Sequence, residues 1–470
     1  MSALIWFKQD LRLFDNQAVS QAWAHHDTVI AAITLTEETW ATHDWAPIKR
    51  DFYLRRLNVL GEELAALSVP LYVLNVGRYE HTAGALCKFA KEHDVTHLYF
   101  NRELPFDERK REAAVSSWLE KHEVQVHISD DVVAVPPEQV KTGQGDFYKK
   151  FTPFYRTWLK VLSEHLPTTP NSLAAKGPAC QFSTIESSGN RKDSSAWKVN
   201  SDDVLAQLDE FIEERVEHYD EARDAPNRDG TSSLSAHLEA GVIGVKTVFR
   251  RLQTLSPDFP FGLNKGAETW LSEIAWRDFY QHLMWHVPRL SQKRAFQPET
   301  DHFEWENDQE KFEAWCCGKT GVPIVDAGMR QLNQTGWMHN RLRMIVASFL
   351  VKDLLIDWRW GEKYFMSNLI DGSFPANNGG WQWSASTGTD AVPYFRVFNP
   401  YRQSERFDPE GKYIRRWVEE LVEVPSKYIH EPHEYLKRHK SSSKYPAPIV
   451  NHAQQRDLFL TKFKRVRNDS

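Results

Sequence analysis

Strands and helices alternate in the first 130 residues, and this pattern constrains the fold more than any other feature of the sequence. Short apolar runs rich in β-branched or aromatic residues stand at Ala3–Phe7, Val29–Leu35, Pro70–Val76, His97–Asn101 and Val124–Ile128. Stretches of helical periodicity separate them, at Asn16–His25, Lys49–Leu67, His81–His93 and Asp107–Lys121. Buried strands that alternate with helices are typical of a doubly wound parallel sheet. The pattern therefore predicts an α/β domain over residues 1–131, and the lack of a GxGxxG motif after the first strand argues against a dinucleotide in the usual Rossmann pose.

The chain changes character after residue 131. Residues 132–200 contain several prolines and serine-rich stretches, which predicts an interdomain connector with one short helix around Phe154–Glu164. From residue 201 the strand signals fade, and helical periodicity dominates up to residue 470. The sequence thus predicts an α/β domain, a long connector and an all-α domain over residues 201–470.

Composition limits the cellular setting and the class of partner. Of the 470 residues, 41% are apolar and 26% are charged, a balance typical of soluble globular proteins. Lys8, Asp10 and Arg12 interrupt the first apolar residues, so we expect no secretory signal, and no apolar run approaches the roughly 20 residues that span a bilayer. Four scattered cysteines predict neither a disulfide framework nor a zinc site and favour a reducing cytoplasm. The net charge of −6 excludes a uniformly basic nucleic-acid coat but allows a local basic groove.

The chain has 18 tryptophans, and ten of them lie between Trp270 and Trp383. Composition alone favours a large aromatic core over a stacking or electron-transfer environment. His282 and His286 have the spacing of helical metal ligands, but Leu283 stands where a zinc protease needs a glutamate, and no third ligand is evident. We therefore predict no metal site.

One predicted helix, Glu268–Val287, combines charged and aromatic residues on a single face. That face presents Trp270, Glu273, Arg277 and Tyr280 on adjacent turns, with Trp276 at its border. A carboxylate and a guanidinium between large aromatic rings fit a flat, hydrogen-bonding ligand. An intrahelical ion pair between Glu273 and Arg277 over aromatic packing explains the same residues equally well.

Three further segments carry polar residues in patterns that suit a ligand. Gly336–Met344 begins a second helix, and its two arginines need anionic partners, either phosphates or a buried Asp. The hydroxyl run Thr231–Ser235 precedes a helical stretch and predicts an N-cap or an anion site. Asp371–Trp383 combines adjacent glycines with Asn and Gln side chains, which predicts a loop packed against a ring system.

These segments together point to one family. The chain resembles the photolyase/cryptochrome family over nearly its whole length, at Trp6–Asn16, Gly230–Ser235, Trp270–Tyr280, Gly336–Met344 and Asp371–Trp383. Within that family it is most similar to the class I cyclobutane pyrimidine dimer (CPD) photolyases of bacteria. The resemblance implies an N-terminal antenna domain, a helical domain that holds FAD, and light-dependent repair of CPDs in UV-damaged DNA. In that reaction an electron from photoexcited FADH⁻ splits the cyclobutane ring and then returns. We further expect a monomer with no membrane association and no obligate protein partner.

The resemblance also implies roles for individual residues. FAD would be held by Tyr219, Thr231, Ser232, Ser233, Leu234, Ser235, Trp270, Arg343, Asp371, Ser373 and Asn377. In this set Arg343 would pair with Asp371 beside the isoalloxazine, and Asn377 would face the flavin N5 and favour the reduced state. Electrons would pass from the surface to an oxidised flavin through Trp305, Trp358 and Trp381. Lesion and DNA contacts would come from Arg223, Glu273, Trp276, Arg277, Asn340, Arg341, Met344, Trp383 and Arg396.

The lesion itself requires a pocket. A dimer lies inside a duplex, so the enzyme must flip it out of the stack, and a distorted lesion unstacks at little cost. Trp276 and Trp383 would supply the aromatic walls of this pocket. A protonated Glu273 would stabilise the radical anion of the lesion by donating a hydrogen bond.

Two sites depart from the family pattern. The family usually has Asp-Gly-Asp at Asp371, whereas this chain has Asp-Gly-Ser, so FAD affinity depends on whether Ser373 binds through its backbone or replaces a needed carboxylate. The folate-type antenna site is matched by His43 and Glu108, while Asp107 replaces an Asn and Ser291-Gln292 replaces Cys-Lys. We expect 5,10-methenyltetrahydrofolate as the antenna, with a deazaflavin or an empty site as the alternatives.

Three other functions fit parts of this pattern. A cryptochrome-type blue-light photoreceptor is the first, but Asn377, rather than Asp or Cys, and a short C-terminus after Val450 favour repair. A (6-4) photolyase is the second, but those enzymes carry histidines where Asn340 and Met344 stand here. A flavoprotein electron carrier without DNA binding is the third, and the implied arginine and tryptophan lesion contacts oppose it.

Overall fold

A computed structural model of the protein describes residues 2–168, 170, 172–186, 191–440 and 442–468. Its N-terminal part contains a parallel β-sheet of five strands. Its strands are β1 (Ser2–Phe7), β2 (Thr28–Leu35), β3 (Leu71–Asn75), β4 (Val95–Asn101) and β5 (Gln125–Ser129). They pair in the order β3-β2-β1-β4-β5. In this register Leu4 of β1 lies opposite Ile30 of β2 and Leu98 of β4. The predicted doubly wound parallel sheet is confirmed.

The described residues also form α-helices along the whole chain. Up to residue 200 these are α1 (Gln17–His25), α2 (Glu37–Thr42), α3 (Pro47–Ala66), α4 (Thr82–Glu92), α5 (Phe106–Glu120) and α6 (Phe151–Glu164). Residues 201–291 add α7 (Ser201–Glu214), α8 (Tyr219–Ala222), α9 (Ser235–Glu239), α10 (Val245–Gln253) and α11 (Lys265–His286). The remaining helices are α12 (Gln309–Cys316), α13 (Pro323–Thr335), α14 (Asn340–Ser348), α15 (Trp358–Met366), α16 (Phe374–Ala385), α17 (Pro400–Phe407), α18 (Lys412–Trp417), α19 (His433–Arg438) and α20 (His452–Asn468).

Shorter helices of other types punctuate these elements. One π-helical turn covers Phe349–Asp353 and continues α14. The 3₁₀ turns lie at Tyr79–His81, Val216–His218, Pro288–Gln292, Pro298–His302 and Glu419–Leu421. Within the described residues, no helix is long and apolar enough to cross a membrane.

The strands are apolar on both faces because helices cover both sides of the sheet. Alternate β1 residues Ala3, Ile5 and Phe7 pack in one cluster with side chains of α1 and α3. The intervening Leu4 and Trp6 pack in a second cluster with side chains of α4 and α5. This two-sided burial explains why the strands appear in the sequence as continuous apolar runs.

The chain divides into two compact units. The first comprises Met1–Glu217, Ser232–Ser291 and Asp371–Pro375, and the second comprises His218–Thr231, Gln292–Ile370 and Ala376–Ser470. The first unit contains the sheet together with α7 and α9–α11, which the sequence analysis places in the helical domain. A physical reason is visible in α11, where Asp278 accepts hydrogen bonds from the backbone N–H groups of Ala134 and Val135 in the connector.

The second unit is helical and is built around one large hydrophobic cluster. This cluster includes the fully buried Trp315, Trp358 and Trp381. A smaller cluster joins Phe303 and Leu355 to residues of the C-terminal helix α20. The aromatic core expected from composition is therefore present in the second unit.

Two local predictions were wrong. Asp371–Trp383 is a loop only at its start, because α16 begins at Phe374 and Pro375 is tolerated in a first helical turn, where its missing N–H is not needed. The N-cap of the helix that follows is not one of the hydroxyl residues of the run Thr231–Ser235. That helix, α9, has only five residues, and its N-cap is Leu234, which has no polar side-chain atom.

Candidate functional site

The predicted site residues are divided between the two units. The first unit contains His43, Asp107, Glu108, Ser232, Ser233, Leu234, Ser235, Trp270, Glu273, Trp276, Arg277, Ser291, Asp371 and Ser373. The second contains Tyr219, Arg223, Thr231, Gln292, Trp305, Asn340, Arg341, Arg343, Met344, Trp358, Asn377, Trp381, Trp383 and Arg396. Within each unit, several of them come together in groups.

Helix α11 carries two of the predicted aromatic site residues, Trp270 for FAD and Trp276 for the lesion. It begins after Asn264, whose side chain accepts a hydrogen bond from the N–H of Ala267 (2.9 Å). Trp270 is buried against Phe211, with ring centroids 4.8 Å apart. Trp276 is half-buried and stacks on Phe151, with a centroid distance of 3.7 Å and an interplanar angle of 7°. Sequence reasoning missed Phe151, because nothing local marks a ring contact with a helix more than one hundred residues further along.

A buried carboxylate fixes α11 to the connector. Asp278 Oδ2 accepts hydrogen bonds from the N–H groups of Ala134 (2.8 Å) and Val135 (3.2 Å) and from Trp158 Nε1 (2.9 Å). Burial raises the pKa of Asp278 to about 6. The neighbouring Arg277 donates to the carbonyl of Val132 (2.6 Å). The Arg277 side chain is therefore anchored by the connector.

The two histidines with metal-ligand spacing have separate contacts. His282 Nε2 lies 2.8 Å from the carbonyl oxygen of Val135, and burial lowers its pKa to about 4. His286 stacks on Phe147, with ring centroids 5.0 Å apart. Across the described part of the chain, no cluster of three or more His, Cys, Asp or Glu side chains could hold a metal ion.

The N-terminus of α14, in the second unit, carries Arg341, a predicted DNA contact, and Arg343, a predicted FAD contact. His339 caps this helix by accepting a hydrogen bond from the N–H of Arg341 (3.1 Å). Arg341 forms an ion pair with Asp224 (2.6 Å), and its guanidinium lies 4.3 Å from the centre of the Phe407 ring. Arg343 Nε donates to the carbonyl of Met338 (2.8 Å). Asp224 is thus the anionic partner that the sequence requires for one of the two arginines.

On α16, the predicted flavin residue Asn377 and its neighbour Asn378 both form hydrogen bonds to Glu362. Asn377 Nδ2 donates to the carbonyl of Glu362 (2.9 Å), and Asn378 Nδ2 donates to Glu362 Oε1 (2.7 Å). Gln382 Nε2 in turn donates to Asn378 Oδ1 (2.9 Å). Burial raises the pKa of Glu362 to about 7. Sequence reasoning missed Glu362. The feature that marks it is a glutamate within a helical segment rich in aromatic residues.

The three tryptophans implied as an electron path belong to one packing environment. Trp381 and Trp358 are buried in the large cluster of the second unit, and the partly buried Trp305 packs against that cluster. The Trp381 ring lies against Gly361, where an added Cβ would come within 2.1 Å of it. Among the described residues, the Trp381 Nε1 atom has no hydrogen-bond partner. Trp315, a further tryptophan, lies 6.1 Å from Trp381 between ring centroids.

Four of the predicted antenna residues lie together in the first unit. His43 lies 3.5 Å from Asp107 and 3.9 Å from Glu108. Burial by itself lowers the pKa of His43, but the hydrogen bond with Asp107 and the charge of Glu108 outweigh it, so the net pKa is raised. Ser291 Oγ accepts a hydrogen bond from the N–H of Phe106, next to Asp107 (3.3 Å). Gln292 belongs to the second unit.

Sequence reasoning missed one aromatic residue near these antenna candidates. The Trp285 ring contacts two guanidinium groups, those of Arg102 (4.5 Å from the ring centre) and Arg109 (3.9 Å). Arg109 also donates to the carbonyl of Trp285 (3.0 Å). Arg102 directly follows β4 and Arg109 belongs to α5, so only the tertiary structure reveals these contacts.

Several other predicted residues, or their direct neighbours, form contacts within their own unit. Ser233 has a left-handed backbone (φ 51°), and the carbonyl of Ser232 accepts a hydrogen bond from Gln207 (2.9 Å). Next to Ser373, the carbonyl of Gly372 accepts a hydrogen bond from Lys49 Nζ (2.6 Å). In the second unit, the buried Lys352 donates to the carbonyl of Arg396 (3.2 Å). Trp383 is half-buried, 6.3 Å from Phe398 between ring centroids.

The chain is similar in sequence and structure to known photolyases. Residues 3–171 match the family model described as DNA photolyase, and residues 270–465 match the model described as the FAD binding domain of DNA photolyase. The chain is 48% identical to a deoxyribodipyrimidine photo-lyase of Vibrio cholerae, over 99% of both chains. It is 43% identical to the enzyme of the same name from Escherichia coli, over 99% of this chain and 98% of that one. A class III photolyase structure from Agrobacterium tumefaciens matches 99% of this chain and 98% of its own, with a TM-score of 0.83 and 32% identity.

Proposed function

The chain belongs to the DNA photolyase family, and from this premise we propose which of its residues bind FAD, hold the lesion and carry electrons. Its function is light-dependent repair of cyclobutane pyrimidine dimers in DNA, with FAD as the cofactor. The full-length similarity to photo-lyases is the observation that carries this function.

The donor set fits FAD. Hydroxyl groups at Thr231–Ser235 suit a pyrophosphate, and the Arg343 guanidinium and the Asn377 amide suit the polar edge of a flavin ring. Tyr219 and Trp270 are buried aromatic residues that would pack against the cofactor. Leu234, Asp371 and Ser373 complete the set that we propose. When bound and reduced, FAD supplies on illumination the electron that splits the cyclobutane ring.

The lesion would be held on a flat aromatic surface. Phe151 covers one side of the Trp276 indole. Trp383 is the second aromatic residue that we propose for contact with a flipped dimer. Glu273 and Asn340 would hydrogen-bond the base edges, Glu273 as the donor to the radical anion when protonated, and Met344 would pack against the lesion.

Four arginines are proposed to hold the DNA backbone beside the lesion: Arg223, Arg277, Arg341 and Arg396. Contacts that fix three of these arginines in place support this role. Arg277 is fixed by the carbonyl of Val132, Arg341 is fixed by Asp224, and Lys352 holds the backbone of Arg396. Since phosphate contacts of this kind release counterions, affinity for dimer-containing DNA should fall steeply with salt.

Trp381, Trp358 and Trp305 are proposed as an electron relay, a name used below for these three side chains. Burial of the first two and partial exposure of the third support a path from solvent inward. The relay would restore the reduced cofactor by passing electrons from an external thiol. Repair by already reduced protein does not need it.

The cluster of His43, Asp107, Glu108 and Ser291 is the proposed antenna site, to which Gln292 would contribute, and 5,10-methenyltetrahydrofolate is the proposed ligand. The proximity of His43 to both acidic side chains supports a polar pocket for a pterin. A deazaflavin is the alternative, and the absorption spectrum of the purified protein separates the two. We further propose that the enzyme is a monomer that acts on DNA in the cytoplasm.

Illumination of the reduced protein with thymine-dimer DNA tests the function. We expect loss of dimers in the light and none in a dark control. A cryptochrome-type receptor would bind FAD and photoreduce without removing dimers. Parallel DNA that contains (6-4) photoproducts should stay unrepaired, because Asn340 and Met344 stand where histidines are needed.

A further inference from the structure

Two residues with left-handed backbones face each other beside the electron relay. Leu355 has φ 53° and Asn307 has φ 51°. Asn adopts this conformation readily because its short polar side chain can bond locally, whereas an apolar residue such as leucine rarely does. Leu355 is also fully buried, so contacts within the protein hold it in this conformation.

Hydrogen bonds join these two residues into a reciprocal contact. The carbonyl of Leu355 accepts from the N–H of Glu306 (2.8 Å) and from that of Asn307 (3.4 Å). In return, Asn307 Oδ1 accepts from the N–H of Asp357 (2.8 Å). We name these three hydrogen bonds, with Leu355 and Asn307 at their centre, the backbone clamp.

The backbone clamp joins the two segments that carry the outer relay residues. Trp305 immediately precedes Glu306, and Trp358 immediately follows Asp357. The Leu355 side chain packs with Phe303, Phe459 and Phe463, and Trp305 packs against the same small cluster. Asp357 also caps α15 by accepting a hydrogen bond from the N–H of Arg359 (3.0 Å). The position of Trp305 relative to Trp358 therefore depends on this contact.

We propose that Leu355 and Asn307 are positioning residues that set the electron step between Trp305 and Trp358, an inference that rests on the proposed relay. In this step Trp358, oxidised by loss of an electron toward the flavin, is reduced by Trp305. An external thiol then reduces Trp305. Electron tunnelling weakens steeply with distance, so a small shift of Trp305 slows this step while the chemistry of dimer splitting stays the same.

A matched pair of variants isolates the backbone conformation of Leu355. Leu355→Ile and Leu355→Met conserve side-chain volume, but only isoleucine is β-branched and resists the left-handed region. We expect Leu355→Ile to slow photoreduction of oxidised FAD by a thiol under blue light by about fivefold or more, and Leu355→Met to stay near wild type. Dimer repair by dithionite-reduced protein should be the same in both.

Hydrogen–deuterium exchange of the FAD-loaded protein gives a readout that does not depend on activity. The amides of Glu306, Asn307 and Asp357 should exchange faster in Leu355→Ile and stay protected in Leu355→Met. Unchanged exchange in Leu355→Ile would overturn the backbone clamp. Faster exchange with wild-type photoreduction would overturn its role in electron transfer.

Should Leu355→Ile fail to fold, Asn307 provides a second pair. Asn307→Gly keeps the left-handed backbone without strain but removes the acceptor for the Asp357 N–H, whereas Asn307→Asp retains an acceptor oxygen. Photoreduction should slow in the first variant and recover in the second, and equal rates would overturn the proposal. A wild-type photoreduction rate in Trp305→Phe would instead overturn the relay itself.

Discussion

Helices α11 and α16 both carry predicted site residues, but their neighbours hold these residues in different ways. On α11, the half-buried Trp276 is held from outside by a flat stack on Phe151, and Asp278 anchors the helix to the connector. On α16, Asn377 is held from inside by the carbonyl of Glu362, whose own carboxyl is buried. One half-buried residue is therefore held by a ring contact over a broad surface, and the other by a directional hydrogen bond to the backbone.

The largest expected effect comes from breaking the anchor of α11. Asp278→Ala leaves three donors without their acceptor, so the free energy of unfolding should fall by about 3–5 kcal/mol. Asp278→Asn keeps an acceptor oxygen and should lose roughly 1–2 kcal/mol. Urea unfolding of the FAD-loaded protein measures both. Wild-type stability of Asp278→Ala would show that the anchor contributes little.

The buried carboxyl under α16 should make stability depend on pH. The folded-state pKa of Glu362, about 7, lies above its ordinary value of 4.5. The folded protein therefore holds this proton more tightly than the unfolded chain does, and the stability from this group declines as pH rises from about 4.5 to about 7. Between pH 5 and pH 8, Glu362→Gln should abolish a decline of about 2–3 kcal/mol. Urea unfolding at both pH values checks this, and an identical slope in the variant would contradict it.

Two glycines test how closely the electron relay is packed near α16. Gly361→Ala places a Cβ against the Trp381 ring, so it should cost about 1–3 kcal/mol of stability and slow photoreduction. Gly380→Ala is the matched control, because nothing lies within 4 Å of its Cβ position. In that exposed part of α16, alanine should add about 0.5–1 kcal/mol. Thermal unfolding and thiol-dependent photoreduction distinguish the two, and a stable Gly361→Ala variant with normal photoreduction would refute the tight contact.

The smallest expected effect concerns the stack on α11. Phe151→Leu removes an aromatic contact worth about 0.5–1.5 kcal/mol, so the Kd for dimer-containing DNA should rise about two- to tenfold. Phe147→Leu removes the comparable stack on His286 and should leave that Kd unchanged. Fluorescence anisotropy with labelled dimer DNA measures both variants. Equal Kd changes would mean that Phe151 acts through general stability and not through Trp276.

Much of the fold could be predicted because its signals are local. The five strands lie within about two residues of their predicted bounds, and Asn16 caps α1 as an Asn before a helix commonly does. Where the prediction was wrong, tertiary burial overrode composition. The Gly- and Asn-rich segment after Asp371 becomes helical from Phe374, and this conformation buries Trp381 and Gln382 while leaving Trp383 half-exposed.

The sequence by itself determined the sheet, the helical second half and the family, because side-chain periodicity, capping and motif spacing are properties of neighbouring residues. Only the tertiary structure decided which partners the site residues have. Arg341 meets Asp224 across 117 residues, and Arg277 meets the carbonyl of Val132 across 145. Many residues could satisfy a guanidinium or cover an indole ring. Which residue becomes the partner depends on which elements pack together in the folded chain, and the sequence around a site residue does not contain that information.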